Sequence, residues 1–297
     1  MRTAIVACAL LFLAAAPARA QEPPDSARSL RAPLDVLQAQ PVWAAEREFA
    51  RLTGTVGIRA GFLSFLADDA VVFMPRATDG RQHYEAVQPA PMVLAWAPAI
   101  AEASAADDLG YTTGPYELRD TDGASLGHGW YFSIWRRNPE RVWEVVLDIG
   151  TPTAEAPPAP PADVEIPRRD PAPPGDAAAR TAQLLVLDDL IAAAAQQRSA
   201  QRALATTLHV DARHNDGGHI TRGGVPVVQS LLDQPMAFRR LGHGVSVAAD
   251  LGYTYGEYTF GGAASEIDPD GNWVRVWRVG PDGRWQVVHL VTAPITR

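Results

Sequence analysis

Four ionisable side chains in strand-like segments could transfer protons: His128, Asp148, Glu257 and His289. A histidine titrates near neutral pH, and burial in a dry pocket raises the pKa of a carboxyl group. Each residue is therefore a candidate general acid or base. Structural explanations remain open, because a strand-entry turn accounts for His128 and a partly buried, hydrogen-bonded group accounts for Asp148 or His289. Glu257 qualifies only if its strand turns it into a dry pocket.

Aromatic side chains are the second group of candidate site residues, since they combine a large apolar area with a polar tip. They would line either a ligand pocket or an interface, and core packing is the ordinary explanation. The candidate ligand-binding residues are Trp96, Tyr111, Tyr131, Trp135, Tyr253, Tyr255 and Trp277. The hydroxyl of Tyr131 could polarise a carbonyl group beside His128.

Neither a metal nor a cofactor is expected. His209, His214 and His219 follow one another across a strand and a glycine turn at a spacing that matches no established ligand set. The sequence has no Gly-rich phosphate loop, no catalytic cysteine and no nucleophile elbow.

One unit occurs twice in the chain. The segment 109–116 reads LGYTTGPY and the segment 251–258 reads LGYTYGEY, 142 residues further on (251 − 109). The same offset carries Trp135 onto Trp277 and Trp143 onto Trp285. Asp148 and His289 do not correspond to each other, because His289 matches Leu147. Strand alternation turns Asp148 and His289 to opposite faces, so neither copy is expected to hold an intact acid–base pair.

Each copy begins with helical patterns and continues as an antiparallel meander, which predicts an α+β fold with helices on one face of a curved sheet. Paired glycines inside the repeated strand indicate a bulge, sharp curvature or close approach of another backbone. The strands predicted for the first copy are 70–74, 92–103, 109–119, 129–137 and 142–149. Those predicted for the second copy are 208–212, 236–248, 251–260, 273–279 and 285–291.

The predicted domain organisation has five parts. Residues 1–20 carry a positive start at Arg2, an apolar stretch and an Ala18-Arg19-Ala20 cleavage site, which together predict a secretory signal peptide. Residues 21–40 are expected to be a loose lead-in, 41–150 the first domain, 151–176 a Pro/Ala-rich linker and 177–297 the second domain. The expected location is periplasmic or secreted, with cleavage after Ala20.

Charge and hydropathy limit the partners. The formal net charge is −8, and no basic stripe is visible, which argues against nucleic acid and against an anionic membrane surface. No segment after the signal is long and apolar enough to predict a membrane span. Both faces of the later strands are apolar, so each sheet needs a second covering besides its helices. We expect the two copies to pack together as an internal pseudo-dimer.

The motifs resemble the SnoaL-like, ketosteroid-isomerase-like branch of the nuclear transport factor 2-like superfamily. The residues that carry the resemblance are Glu48-Phe49-Ala50, the run from Phe62 to Ala70, Gly80, Trp96-x-Pro98, the two LGYT-x-G-x-Y strands, Tyr131-x-x-x-Trp135-Arg136 and Trp143-Glu144-Val145-Val146-x-Asp148. The resemblance covers nearly all of 41–150 and is good in the second copy from Met236 onward. It implies cone-shaped half-barrels, each with a strongly curved, mainly antiparallel sheet, a pocket between sheet and helices, and pairing through the sheet.

The same resemblance leaves the function open, because members include isomerases, dehydratases, cyclases and proteins that only bind or pair. Relatives often carry a His–Asp pair where this chain has Leu147 and Asp148. The expected function is binding of a small, mainly apolar molecule in a cone pocket, with no complete catalytic site in either copy. The alternatives are a cofactor-free acid–base enzyme and a purely structural module.

Overall fold

The computed structural model describes residues 25–261 and 269–295. The signal peptide predicted for residues 1–20 lies outside these residues. The described chain forms two separate β-sheets, and helices precede each sheet in the sequence. The predicted α+β class, with two units of helices followed by a sheet, is therefore confirmed.

The first unit pairs one parallel strand with an otherwise antiparallel sheet. Its elements are α1 (Asp25–Arg28), α2 (Leu34–Ala39), α3 (Val42–Val56), α4 (Ile58–Phe65), β1 (Leu66–Phe73), β2 (Ala77–Asp79), α5 (Gly80–Ala86), β3 (Met92–Trp96), β4 (Ile100–Ala103), β5 (Leu109–Asp120), β6 (Ser125–Arg137) and β7 (Trp143–Pro152). The strand order is β2-β1-β7-β6-β5-β3, and β4 also pairs with β5. Only the β1–β7 pair within this described sheet is parallel.

The second unit repeats this plan. Its elements are α6 (Ala177–Gln197), α7 (Ala200–Leu204), β8 (Leu208–Asn215), β9 (Ile220–Arg222), α8 (Gly224–Ser230), β10 (Met236–Val245), β11 (Leu251–Phe260), β12 (Gly271–Val279) and β13 (Trp285–Pro294). The strand order is β10-β11-β12-β13-β8-β9, and β8 pairs with β13 in parallel. The predicted strand 236–248 forms the single strand β10, whereas the predicted strand 92–103 of the first unit is divided into β3 and β4.

The repeated glycines lie where another backbone approaches closely. A Cβ on Gly114 would lie 2.0 Å from the carbonyl oxygen of Ala97, and a Cβ on Gly256 would lie 1.9 Å from that of Arg239. Ala97 follows β3, and Arg239 precedes a register shift in β10. Close backbone approach at an irregular edge strand therefore explains these two positions.

The long helix of each unit turns one face onto its sheet. Helix α3 follows Pro41 and ends at Gly57, whose φ of +89° suits glycine. Helix α6 begins at Asp176, whose side chain accepts the Ala179 N–H at 2.7 Å. The buried face of α3 includes Glu46, and the buried face of α6 includes Asp188. Each helix therefore carries one carboxyl group towards its sheet.

The lead-in and the linker are both attached to the domains. Residues 25–40 form α1 and α2 with Leu37 buried, so this part of the predicted loose lead-in has regular structure. In the linker, the Glu165 N–H donates to Ala99 O at 2.9 Å and its carbonyl accepts the Ala101 N–H at 3.0 Å. The linker therefore crosses beside strand β4.

Reciprocal hydrogen bonds join the two units. The Ala105 N–H donates to Asp250 Oδ2 at 2.9 Å, and the Val247 N–H donates to Asp108 Oδ2 at 2.7 Å. Moving the first bond by 142 residues in each direction gives the second. Apolar residues of both sheets, among them Ile134 of β6 and Val276 of β12, also share one buried cluster.

Candidate functional site

The interior of the first unit contains a buried carboxyl group held by three donors. Glu46 on α3 is fully buried. Its Oε1 accepts the indole N–H of Trp96 at 2.5 Å, and its Oε2 accepts the indole N–H of Trp135 at 2.9 Å. The hydroxyl of Thr112 also donates to Oε2. Strands β3, β5 and β6 therefore each supply one donor to a single helix residue.

Glu46 titrates near neutral pH. Burial raises its pKa to about 7, although the hydrogen bonds from Thr112, Trp96 and Trp135 act in the opposite direction. The charge of Asp148 adds to the rise. No cation of the described residues forms an ion pair with Glu46, so this carboxyl group can take up or release a proton under ordinary conditions.

A second carboxyl group, Asp148 on β7, shares this interior. Ser133 Oγ on the neighbouring strand β6 donates to Asp148 Oδ2 at 2.7 Å. Burial raises the pKa of Asp148 to about 6, and the bond from Ser133 opposes that rise. Two carboxyl groups with raised pKa values in one interior are typical of acid–base sites, although buried structural networks show the same shifts.

Tyr131 adds a hydroxyl group to the two carboxyl groups. Its Oη is buried near Thr112 and makes no hydrogen bond of ordinary geometry with any described residue. Burial raises its pKa well above the usual value, and the charges of Glu46 and Asp148 add to this. A buried hydroxyl with unused bonding capacity is uncommon in proteins and can donate to a polar atom of a ligand.

Aromatic rings form the apolar walls of this first interior. Phe49 contacts Phe62 and Trp96 with ring centroids 4.8 and 4.9 Å away, and Phe62 stacks on Tyr84 at 4.3 Å. Trp96 is half-buried and the other rings of this group are buried. The interior is therefore densely lined by rings, and Trp96 is the member that reaches solvent.

The second unit has a carboxyl group at the same position but neutralises it. Asp188 follows Glu46 by 142 residues (188 − 46), and its Oδ1 accepts the hydroxyl of Thr254 at 3.1 Å. Arg275 Nη1 donates to Asp188 at 2.5 Å, and Arg240 Nη1 donates to it at 2.9 Å. Ser133 of the first unit corresponds to Arg275, so one substitution between the copies replaces a hydroxyl by a buried cation.

The guanidinium of Arg275 fills the aromatic interior of the second unit. Its central carbon lies 4.5 Å from the ring centroid of Phe238 and 4.1 Å from that of Trp273. Phe238 and Trp273 correspond to Trp96 and Tyr131 of the first unit. Cation–π contacts of this kind stabilise a desolvated arginine. A side chain of the protein itself thus occupies the region beside Asp188.

Glu257 is not the raised-pKa base considered from the sequence. Arg76 Nε donates to its Oε1 at 2.8 Å, and Arg239 Nη2 donates to its Oε2 at 2.5 Å. Burial raises the pKa of Glu257, but the hydrogen bonds and charges of the two arginines outweigh this effect and leave it below the usual value. Glu257 is therefore an ionised partner in a contact between the units, since Arg76 belongs to the first one.

His289 lies between the sheets and not in a helix-facing interior. Its ring centroid is 5.3 Å from that of Tyr111 and 4.9 Å from that of Phe132, and its Nε2 lies 3.0 Å from Asn215 Oδ1. Burial lowers its pKa well below the usual value, and the charge of Arg213 adds to this. The ring stays neutral at physiological pH, which argues against the proton-transfer role considered from the sequence.

His128 and Tyr131 are not brought together. His128 is half-buried near the start of β6, with Nδ1 3.1 Å from Thr153 Oγ1. Residues three apart on a strand point to opposite faces, and Tyr131 points to the first interior. His128 therefore lies outside the group formed by Glu46, Asp148 and Tyr131.

The seven candidate ligand-binding aromatics divide among three places. Trp96, Tyr131 and Trp135 line the first interior, and Trp277 lies in the second, where its indole N–H donates to Thr254 Oγ1 at 2.9 Å. The remaining three pack between the sheets: Tyr111 stacks on Phe132, Tyr253 stacks on Tyr255, and Tyr255 meets Phe73 edge to face. The structure therefore does not gather the seven into one pocket.

Sequence reasoning missed Glu46 and Asp188. The signal was available, because the 142-residue offset pairs these two carboxylates as it pairs Thr112 with Thr254. Each lies on the buried face of its helix, where a carboxylate is uncommon.

The described residues contain neither a metal-binding cluster nor a membrane-spanning helix. No group of three or more His, Cys, Asp or Glu side chains among them is arranged to hold a metal ion. Within the same residues, no helix has the length and apolar character needed to cross a bilayer.

Comparison with known proteins gives matches in structure only. No family model and no curated protein matches the chain. A nuclear transport factor 2-like protein of unknown function from Shewanella oneidensis MR-1 is 11% identical, with 38% of this chain and 98% of that chain covered and a TM-score of 0.31. A nuclear transport factor 2-like protein of unknown function from Pseudomonas putida KT2440 is 17% identical, with 41% of this chain and 92% of that chain covered and a TM-score of 0.34. A ketosteroid isomerase-like protein from Erwinia carotovora atroseptica SCRI1043 is 18% identical, with 39% of this chain and 96% of that chain covered and a TM-score of 0.29.

Proposed function

We propose that this chain is an exported protein whose first unit binds a small, mainly apolar molecule through one polar group of that molecule. The observation that carries the proposal is the buried Tyr131 hydroxyl, which lies near Thr112 but makes no hydrogen bond of ordinary geometry with any described residue, in the same interior as Glu46 and Asp148. Aromatic walls suit an apolar body, and a few convergent polar groups suit its orientation. Export rests on the signal peptide proposed for residues 1–20.

In this proposal the second unit is a structural partner. Its carboxylate, Asp188, is already satisfied by Arg275 and Arg240, so it offers little to an outside molecule. We also propose that the two units form an internal pseudo-dimer. The reciprocal bonds of Ala105 to Asp250 and of Val247 to Asp108 support this, because a two-fold interface uses each contact twice.

Native mass spectrometry of the purified protein tests both parts. We expect a monomer mass with a reproducible small additional mass. Tyr131→Phe removes one hydroxyl from the first interior and should release the additional mass. Tyr253→Phe is the matched control, because it removes a buried tyrosine hydroxyl between the sheets and should retain the ligand.

Two outcomes would contradict the proposal. Loss of the additional mass from both tyrosine variants, or from neither, would remove the first interior as the binding site. A stable dimer would show that the two units do not satisfy each other's sheet surfaces.

Acid–base catalysis is the second candidate function for the same site. The pKa of about 7 at Glu46 favours it, because a group that titrates near the working pH transfers protons efficiently. A test is deuterium uptake from D₂O next to the carbonyl of a small cyclic ketone. Glu46→Gln should abolish the uptake, whereas Glu144→Gln, at another buried carboxyl group, should preserve it. Equal rates for the two variants would remove Glu46 as the base.

A further inference from the structure

A cleft of about 360 Å³ lies beside the linker, separate from both helix-facing interiors. Linker residues 165–168, strand β8, the end of β9 and strand β12 line it. Its cationic residues are Arg168, Arg213, Arg222 and Arg278, and its acidic lining residues are Glu165 and Asp211. We refer to it as the arginine cleft. Its four guanidinium groups outnumber the two lining carboxylates and Glu102, the buried partner of Arg278, so the cleft keeps an excess of positive charge in a chain whose net charge is −8.

A carboxylate of the chain itself already shows what the cleft can bind. Arg213 Nη2 donates to Glu165 Oε1 at 2.5 Å, and Arg222 Nη1 donates to Glu165 Oε2 at 2.6 Å. One carboxylate therefore bridges two guanidinium groups, which is a strong and directional form of hydrogen bonding. Glu165 is partly exposed, so its side chain could be exchanged for an outside anion.

Donor capacity remains in the cleft after Glu165 is bound. Arg213 is 7% exposed, and its Nε has no hydrogen-bond partner among the described residues. Arg168 forms no ion pair with any described carboxylate, and Arg222 retains a half-exposed guanidinium. Arg278 is held by the buried Glu102 at 3.0 Å, which fixes its position at the cleft wall. A buried, unpaired arginine donor beside a cavity points to an anionic ligand.

We propose that the arginine cleft binds a small organic anion through a carboxylate or phosphate group. The cavity volume suits a compact metabolite and not a polymer. Both oxyanions match the planar fork of arginine, so the shared chemistry is a group with two or more terminal oxygens. Glu165 acts as an internal competitor for this site.

Isothermal titration of the purified protein tests the proposal, with thermal melting as a second readout. The probes are succinate and citrate for carboxylates, and inorganic phosphate and glycerol 3-phosphate for phosphates, all at constant ionic strength. We expect saturable binding and a matching rise in Tm for at least one probe class. The class that binds more tightly identifies the source of the oxyanion.

Three variants are expected to change the affinity of the cleft in different ways. Glu165→Gln removes the competitor while the backbone bonds of residue 165 stay in place, so binding should tighten about tenfold. Arg222→Gln removes a donor and should weaken binding about tenfold. Arg119→Gln is the matched control, because Arg119 is a similarly exposed arginine that pairs with Glu117 and does not line the cleft, and it should leave binding unchanged.

The proposal is overturned if none of the four probes binds saturably to either protein, the wild type or Glu165→Gln. It is also overturned if Arg222→Gln and Arg119→Gln weaken binding equally, since that result indicates attraction by overall charge. Neither outcome bears on ligand binding in the first interior, because Tyr131 and Glu46 are not part of the cleft.

Discussion

Glu46 and Asp188 lie at matching positions of the two units, and each accepts a hydrogen bond from the matching threonine, Thr112 or Thr254. The remaining partners differ. Glu46 accepts only neutral donors among the described residues, whereas Asp188 pairs with the fully buried Arg275. The same framework therefore holds a titratable carboxyl group in one unit and a fixed ion pair in the other.

This difference shows how a duplicated fold can divide its tasks. In the second unit the buried carboxylate already has a buried cation as its partner. A buried carboxyl group without a cation is costly to ionise, and groups with such raised pKa values cluster at functional sites. Arg275, where the first unit has Ser133, and Arg240, where it has Pro98, supply the cations that separate the two units.

The largest expected effect is at Asp188. Asp188→Asn leaves Arg275 buried without a counter-charge, and breaking a buried pair in this way costs about 3–5 kcal/mol. Glu46→Gln is the matched change in the first unit and should cost less, about 1–2 kcal/mol, because the amide group turns a donor towards one of the three donors but no cation loses its partner. Urea denaturation at pH 7 measures both. Equal losses would show that the two carboxyl groups have the same role.

A partial rescue sharpens this result. The double variant Asp188→Leu/Arg275→Met replaces the pair by apolar side chains of similar size and should be more stable than Asp188→Asn alone. Failure of the rescue would mean that Asp188 acts through Thr254 or Arg240, and not mainly through Arg275.

The second effect is a dependence of stability on pH that originates in the first unit. The pKa of Glu46 is raised from 4.5 to about 7, and that of Asp148 from 3.8 to about 6. Below the unfolded pKa values both states are protonated, and the contribution to stability is fully present. As the pH rises through about 6 and 7, the unfolded chain has already ionised, so the free energy of unfolding falls, by up to about 3 kcal/mol per group.

Urea denaturation between pH 4.5 and 8 checks this direction. Glu46→Gln should reduce the fall in stability over this range, and the exposed control Glu140→Gln should leave it unchanged. A stability that rises with pH across the same interval in the wild-type protein would contradict the raised pKa values of both carboxyl groups.

The interface provides a third comparison, between reciprocal contacts. Asp250 accepts the Ala105 N–H and also pairs with Arg169 at 3.0 Å, whereas Asp108 accepts the Val247 N–H without an arginine. Asp250→Ala should therefore cost about 2 kcal/mol and Asp108→Ala about 1 kcal/mol. Thermal melting measures the loss of stability in both variants. A larger loss for Asp108→Ala than for Asp250→Ala would contradict an additional stabilising contribution from Arg169.

The sequence was informative where a physical pattern repeats. The 142-residue offset and the order of helices and strands predicted two α+β units, because periodicity and turn residues are local signals. It was uninformative about partners. The sequence LGYTYGEY does not reveal that Glu257 meets Arg76, which lies 181 residues away. Nor does strand alternation alone show that Tyr111 and Tyr253 face the other sheet while Tyr131 faces the helices. Such choices depend on which surface each sheet presents to the other unit.

The smallest expected effect concerns the hydroxyl of Tyr131 and its counterpart in the second unit. Trp273 occupies the matching position, and its indole N–H donates to the carbonyl oxygen of Glu257 at 3.0 Å. The Tyr131 hydroxyl has no such partner, so Tyr131→Phe should change the free energy of unfolding by less than about 1 kcal/mol, without loss of a hydrogen bond. Tyr111→Phe is the control within the same unit, because the Tyr111 hydroxyl donates to Glu102 at 3.1 Å.

Tyr111→Phe should cost about 1–2 kcal/mol, since it leaves a buried carboxylate with one donor fewer. Urea denaturation of ligand-stripped protein separates the two tyrosines. If Tyr131→Phe destabilises the stripped protein as much as Tyr111→Phe does, the Tyr131 hydroxyl serves the fold, and the first interior loses its main distinction from the second. If only the ligand-bound form is affected, the hydroxyl is held for a polar group that the chain does not itself provide.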